Sequence, residues 1–236
     1  MNPLGWLTAG GRFAAVAVGV AAGLGAGAWG LAMLCVFLAS GSLLTVAGRS
    51  GRTGVPARTA VQVVANGWTA VAGAALVPLA PDIGWPVLAG GLAAAQADTW
   101  ATEIGLRSRQ QPVQVITWQP VPAGTSGAVT GLGSVGGLLG ALVMAALATR
   151  AVAPVLGLAA LLGGIGGAVT DSVLGATVQG RWQCDTCGTA GEQRRAPCGH
   201  ATRPVRGWPW VDNHVVNAAG TGAGALVALT VFSVVS

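Results

Sequence analysis

Apolar runs of membrane-crossing length fill most of the chain, and charged residues appear almost only between them. A helix rises about 1.5 Å per residue, so roughly 20 mostly apolar residues cross the hydrocarbon core of a bilayer. Runs bounded by charge predict spans at 13–27, 28–47, 61–80, 85–105, 126–149, 151–179 and 213–235. The break at Gly25-Ala26-Gly27 is a weak hairpin signal, so 13–47 reads either as two spans or as one tilted helix behind an ordered leader. The predicted fold class is all-α: a polytopic membrane bundle of about seven transmembrane helices, forming one membrane domain over 1–236. A polar, cysteine-bearing loop at 180–212 is inserted between the last two helices.

Composition agrees with the pattern, since 53% of residues are hydrophobic and 8% charged, which excludes an ordinary soluble domain. The apolar start at Phe13 runs on into further spans without a clear cleavage pattern, so the chain is expected to insert by its own helices. The 39 glycines sit largely inside the spans, where small residues let backbones approach closely in lipid. All 12 basic residues are arginine. With no lysine there is no P-loop lysine, and phosphate binding falls to arginine, backbone N–H groups and metal. Seven spans put Arg12, the loop with arginines 49, 52 and 58, the loop with 107 and 109, and the loop with 181, 194, 195, 203 and 206 on one side. The positive-inside rule makes that side cytoplasmic in a multi-pass protein of the cell inner membrane, with only Arg150 opposite. Trp6, Trp85, Trp118, Trp182, Trp208 and Trp210 fit an interfacial belt at span ends.

Few polar residues enter the apolar runs, and they do so at one depth. The run 87–97 ends in Asp98-Thr99-Trp100-Ala101-Thr102-Glu103, which places two carboxylates and two hydroxyls at the end of a span. Ionisable groups within a membrane helix are costly and point to function. Asn66 lies near the same end of its span, Asp171 and Ser172 lie about two turns from the end of the sixth, and Asn217 lies just inside the seventh. Separate packing roles would not gather them at one face, so Asp98 and Asp171 are expected to share a polar site. Gly124-Thr125-Ser126-Gly127 opens the predicted fifth span. It reads equally as a phosphate-binding helix N-terminus or as an ordinary hydroxyl cap. Carboxylates, amides and nearby arginines together suit Mg²⁺ and a polyphosphate, because Mg²⁺ favours a few carboxylates plus phosphate oxygens.

These residues carry a family resemblance. Gln62-Val63-Val64-Ala65-Asn66-Gly67, Ala97-Asp98-Thr99-Trp100-Ala101-Thr102-Glu103-Ile104-Gly105, Gly124-Thr125-Ser126-Gly127, Asp171-Ser172-Val173-Leu174-Gly175-Ala176-Thr177-Val178-Gln179 and Asp212-Asn213-His214-Val215-Val216-Asn217 follow one another in the chain. In this order they resemble the integral membrane family of domain of unknown function 92, which includes the phytyl-phosphate kinase of plants. The resemblance implies transfer of a phosphoryl group from a nucleoside triphosphate, CTP before ATP, to an isoprenoid monophosphate. For that transfer Asp98, Asp171 and Glu103 are expected as catalytic residues, with Mg²⁺ on Asp98 and Asp171 and with Asn66 and Asn217 completing or orienting the shell. Arg58, Thr125, Ser126, Ser172 and Asn213 join the two asparagines as phosphate- and substrate-binding residues. A lipid phosphate is already an anion and needs no general base, so positioning and charge neutralisation dominate the chemistry.

In the large loop, Cys184-Asp185-Thr186-Cys187 is followed by Cys198-Gly199-His200. Four N/S ligands at this spacing suit a structural tetrahedral Zn²⁺, a reading favoured over free thiols or a disulfide on the cytoplasmic side. The expected partners are an isoprenoid phosphate lipid, a nucleoside triphosphate and membrane lipids, and no nucleic acid. An ion-coupled secondary transporter of an anionic substrate is the alternative, though no convincing internal repeat supports it and the polar groups lie near one face instead of the midplane.

Overall fold

Helix ends fall where the chain supplies caps or prolines. The computed structural model describes residues 6–48 and 57–236, and these form six helices. α1 (Ala9–Ala47) starts behind Thr8, whose hydroxyl accepts the Gly11 N–H. Thr59 and Gln62 make a reciprocal capping box for α2 (Ala60–Leu76). Prolines stand in the first turns of α3 (Pro81–Gly105) and α5 (Pro154–Thr177), where the missing N–H has no helical partner to lose. Thr130 caps α4 (Gly131–Ala151), and Asp212 caps α6 (Asn213–Val235) by accepting from the His214 and Val215 N–H groups. By length and composition α1, α4, α5 and α6 are able to cross a membrane, while α2 is apolar but only 17 residues long. Large apolar side chains such as Phe13, Leu24 and Leu226 cover the outside. The protein is a multi-pass membrane bundle.

The first two predicted spans form one element, so the described residues hold six helices against the expected seven. α1 leaves helical geometry at Gly27 (φ 63, ψ −154), a conformation open to glycine and strained for other residues. Unbroken, its 39 residues would extend about 58 Å, nearly twice the hydrocarbon core. Instead a Cβ on Gly19 would lie 3.9 Å from the Leu31 and Leu34 side chains, so the two halves fold back on each other. Arg49 and Arg52 of the following loop lie outside the described residues.

The fifth predicted span begins later than 126. Residues 124–127 belong to a turn with Gly124 and Gly127 at positive φ, and they lead into β2 (Ala128–Val129), which pairs antiparallel with β1 (Val113–Gln114). A Cβ on Gly127 would meet Ala176 at 2.5 Å, so the turn is seated on the end of α5 and cannot join α4. The 180–212 loop carries a three-stranded sheet in the order β4-β3-β5, built from β3 (Arg181–Gln183), β4 (Ala190–Gly191) and β5 (Arg203–Arg206). Gly207 (φ 70) anchors it against the bundle, since a side chain there would overlap the Gln179 carbonyl.

The centre of the bundle is a seam of small residues where α3, α5 and α6 meet. A Cβ added to Gly90 would stand 2.3 Å from the Ala228 Cβ, one on Gly167 2.3 Å from the Ala94 Cβ, and one on Gly224 2.6 Å from the same Ala94 Cβ. Backbones this close require glycine and alanine. Asp98 follows Ala94 by one helical turn, and Asp171 follows Gly167 by one turn. The seam therefore sets how closely the two carboxylates stand.

Candidate functional site

One cavity of about 660 Å³ opens at the end of the bundle that carries the loops, a size typical of small-molecule sites. Its lining includes Arg58, Asn66, Asp98, Glu103, Thr125, Ser126, Asp171, Ser172, Asn213 and Asn217. The structure thus brings to one place all ten residues that the sequence marks for catalysis and substrate binding, from four helices and two loops. At the deepest part Asn66, Asp98, Asp171 and Asn217 also share a small crevice with Gly167 and Gly220. Gly220 makes room for Asp171, because a Cβ there would come within 3.1 Å of the Asp171 Cβ. With the Asn217 amide assigned so that its nitrogen faces the two acceptors, Nδ2 donates to Asp171 Oδ2 (3.1 Å) and to the Asn213 carbonyl (2.9 Å). Asn66 Nδ2 donates to the Gln62 carbonyl (2.9 Å). Among the described residues nothing donates a hydrogen bond to Asp98, which leaves its carboxylate oxygens for a ligand.

α2 and α6 are locked beside these groups. Trp68 Nε1 donates to the Ala218 carbonyl (3.1 Å) and to the Thr221 hydroxyl (3.0 Å), which in turn reaches the Ala65 carbonyl. Glu103 stands farther out on α3 and accepts a 2.6 Å hydrogen bond from the Thr45 hydroxyl of α1. Arg58 packs its guanidinium over Phe37, 5.9 Å from the ring centre. Burial lowers its pKa and the Glu103 charge opposes that shift. Arginine stays charged through such an environment, so Arg58 supplies a fixed cation on the cavity wall.

The chain matches the family described as integral membrane protein DUF92 over residues 2–225. It belongs to that family. Relatives include an uncharacterized membrane protein of Methanocaldococcus jannaschii, 35% identical over 86 residues, or 36% of each chain. A second uncharacterized membrane protein, from Synechocystis, is 29% identical over 56% of this chain and 42% of its own. Protein PGR of Arabidopsis thaliana is 30% identical over 63% of this chain and 64% of its own. The matched regions span less than two thirds of each of these relatives. No solved structure matches the chain.

In this DUF92 protein the 124–127 segment does not act as a helix N-terminus. Thr125 donates its hydroxyl proton to the Pro122 carbonyl (2.8 Å), and the Ser126 hydroxyl is held by the Glu192 carboxylate. Both residues still line the cavity, as parts of a turn, while the helix N-terminus near the site belongs to Thr130 and Gly131. Glu192 itself lines the cavity, a role with no signal in the sequence because it lies in a polar loop 21 residues beyond Asp171. Gln179 is a second residue missed by sequence reasoning. It is 2% exposed and lines the cavity, and its Nε2 has no partner among the described residues. Its place at the end of the Asp171 motif was the available signal.

The cysteine loop of the DUF92 chain gathers Cys184, Cys187 and Cys198, with Sγ atoms 3.6 Å (184 to 198) and 3.2 Å (198 to 187) apart. Zn–S bonds of about 2.3 Å in a tetrahedron put sulfur atoms about 3.8 Å apart, so three thiols at these distances fit such an ion. The cysteines are free of disulfides. His200 is exposed and its side chain is not among the clustered ligand groups, although its backbone reaches the Cys198 thiol. The fourth position is therefore not supplied by His200 in this arrangement. Hydrogen bonds with the Thr189 hydroxyl and backbone hold the Cys187 thiol down to about 6, close to a ligand-ready thiolate. The cluster connects to the site through β4, whose next residue is Glu192.

Proposed function

We propose that this protein is a Mg²⁺-dependent phosphotransferase that converts an isoprenoid monophosphate, such as phytyl phosphate, to the diphosphate with a nucleoside triphosphate, CTP before ATP. The observation that supports it is the convergence on one cavity of oxygen donors at depth, Asp98, Asp171, Asn66 and Asn217, with Arg58 and hydroxyls farther out. Two carboxylates and amide oxygens with no sulfur or imidazole ligand suit a hard cation. Asp98, free of hydrogen-bond donors among the described residues, and Asp171, oriented by Asn217, would hold Mg²⁺. Bound there, the ion supplies neutralisation of phosphate charge.

The chain's own groups account for the rest. An acceptor phosphate oxygen attacks the γ-phosphorus, the bond to the β–γ bridging oxygen breaks, and the nucleoside diphosphate leaves with that oxygen. Arg58 neutralises phosphate oxygens, Ser172 and Asn213 donate to them, and Thr125 and Ser126 join only by exchanging their bonds to the Pro122 carbonyl and the Glu192 carboxylate. Glu103, held by Thr45, orients the rim near Arg58. The acceptor is an anion throughout, so no residue need remove a proton from it.

With both halves of α1, and also α2 and α3, crossing the bilayer, seven passes place the arginine-bearing loops and the cavity mouth on the cytoplasmic side of the inner membrane. Cys184, Cys187 and Cys198 would hold a structural Zn²⁺, with a reoriented His200 as fourth ligand, and the ion would order the loop that carries Glu192 to the cavity. Incubation of purified protein in nanodiscs with labelled CTP or ATP and a panel of prenyl monophosphates tests the proposal. Labelled prenyl diphosphate supports it, whereas ion-dependent anion uptake into liposomes without turnover identifies the secondary transporter instead.

A further inference from the structure

The cavity that holds the carboxylates continues toward the middle of the bundle along an uncharged wall. That wall comes from Ser134 and Leu138 on α4 and from Ile165, Ala168 and Val169 on α5. Spacings of three and four place each set on one face of its helix, and the α5 face leads through Ala168 to Asp171 a turn later. Ile165 lies six residues before Asp171, about 9 Å along the helix. Leu138, Ile165 and Val169 line the cavity and are 44%, 39% and 54% exposed, so no neighbouring helix covers them and the cavity is open along this wall. In a membrane protein the medium at that depth is hydrocarbon, and a space joining it to a polar floor fits an amphiphile lying across the boundary.

We propose that the cleft between α4 and α5 is a lateral portal that takes the hydrocarbon tail of a single-chain lipid phosphate from the bilayer while its phosphate reaches Asp98 and Asp171. The head-group part rests on the phosphotransferase reading. The tail part does not, because tail position is measurable without turnover. A chain that stays in contact with lipid never has to be drawn into water, where each methylene is unfavourable. The length of the chain is then weakly read, and selection acts on the phosphate and on the first carbons beside Ser134 and Ala168, while the rest of the tail passes Leu138, Ile165 and Val169 into the bilayer.

The test uses the full chain in nanodiscs and a geranylgeranyl monophosphate with a diazirine near the end of its tail. Photolabelling that concentrates on α4 and α5 around Leu138, Ile165 and Val169, and that unlabelled geranylgeranyl monophosphate displaces, supports the portal. Labelling on α1 or α2, labelling spread over all lipid-facing residues, or labelling that does not compete overturns it. In parallel, Leu138→Trp and Val169→Trp are expected to lower the ratio of geranylgeranyl phosphate to dimethylallyl phosphate turnover about tenfold, the low end of the range that a misfit in an apolar pocket produces. Val135→Trp, at an exposed position on α4 that does not line the cavity, is expected to leave the ratio unchanged. An unchanged ratio in the first two variants refutes the portal. Failure of the wild-type protein to phosphorylate any prenyl phosphate refutes the phosphotransferase reading alone and leaves the photolabelling to decide the portal.

Discussion

Gly167→Ala is expected to damage the site without touching any residue that binds a ligand. Gly167 lies where α3, α5 and α6 cross, one turn before Asp171. A methyl there would stand 2.3 Å from the Ala94 Cβ and 2.7 Å from the Gly220 carbonyl oxygen. Carbon atoms in favourable contact sit about 3.7 Å apart, so the methyl lacks about 1.4 Å of room and both obstacles are rigid. α3 and α5 must separate, and they carry Asp98 and Asp171 one turn farther on. Overpacking of this kind costs about 1–3 kcal/mol, and misplacement of reacting groups by 1 Å costs on the order of a hundredfold in rate. Thermal unfolding in detergent and the initial rate of labelled phosphate transfer give the two readouts. Gly90→Ala meets the Ala228 Cβ at the same 2.3 Å but lies eight residues from Asp98, so it lowers the unfolding temperature with a much smaller loss of rate. Gly23→Ala meets nothing within 4 Å and leaves both unchanged or slightly improved. Wild-type stability and rate in Gly167→Ala, or equal rate losses at Gly90 and Gly167, would refute the claim that the seam sets carboxylate spacing.

Asn217→Ala removes the donor to Asp171 and is expected to lower turnover about tenfold, from a lost hydrogen bond of about 1.5 kcal/mol, with helical circular dichroism unchanged; an unchanged rate removes the orienting role. Protein purified without chelators is expected to contain zinc, and Cys187→Ser to lose it by elemental analysis. In chelated protein the lowered pKa means that the Cys187 thiolate persists as pH falls and is lost near pH 6, so alkylation of Cys187 is half-maximal there; a midpoint near the ordinary thiol value contradicts the hydrogen bonding with Thr189. Ser126→Ala frees Glu192 and is expected to expose the 184–206 loop to limited proteolysis while the unfolding temperature of the bundle stays the same.

Helices and the residues that line the cavity were legible for one physical reason: polar side chains are expensive in lipid, so each one inside an apolar run is informative. Asn213–Val235 was marked with its observed limits because Asp212 caps it and charge-free sequence follows. The start of α4 was misplaced because the glycines, Thr125, Ser126 and Ala128 before it are small and uncharged, and hydropathy does not separate such a turn from a helix. Gly27 was visible only as a weak break, since a positive φ leaves no mark beyond the glycine itself. Glu192 was invisible because its place depends on β3 pairing with β4 and on the Ser126 contact, neither of which follows from local pattern. Cys184, Cys187 and Cys198 were grouped by spacing, whereas the place of the His200 side chain does not follow from spacing.

In the proposed function Asp98 and Asp171 act together on a phosphorylated lipid. Its most direct test is the Mg²⁺-dependent transfer of label from γ-labelled CTP or ATP to geranylgeranyl monophosphate by wild type, Asp98→Asn and Asp171→Asn, each shown to be folded and membrane-inserted. Wild type is expected to give labelled diphosphate, and either variant none above background. Near-normal transfer by Asp98→Asn would contradict that function.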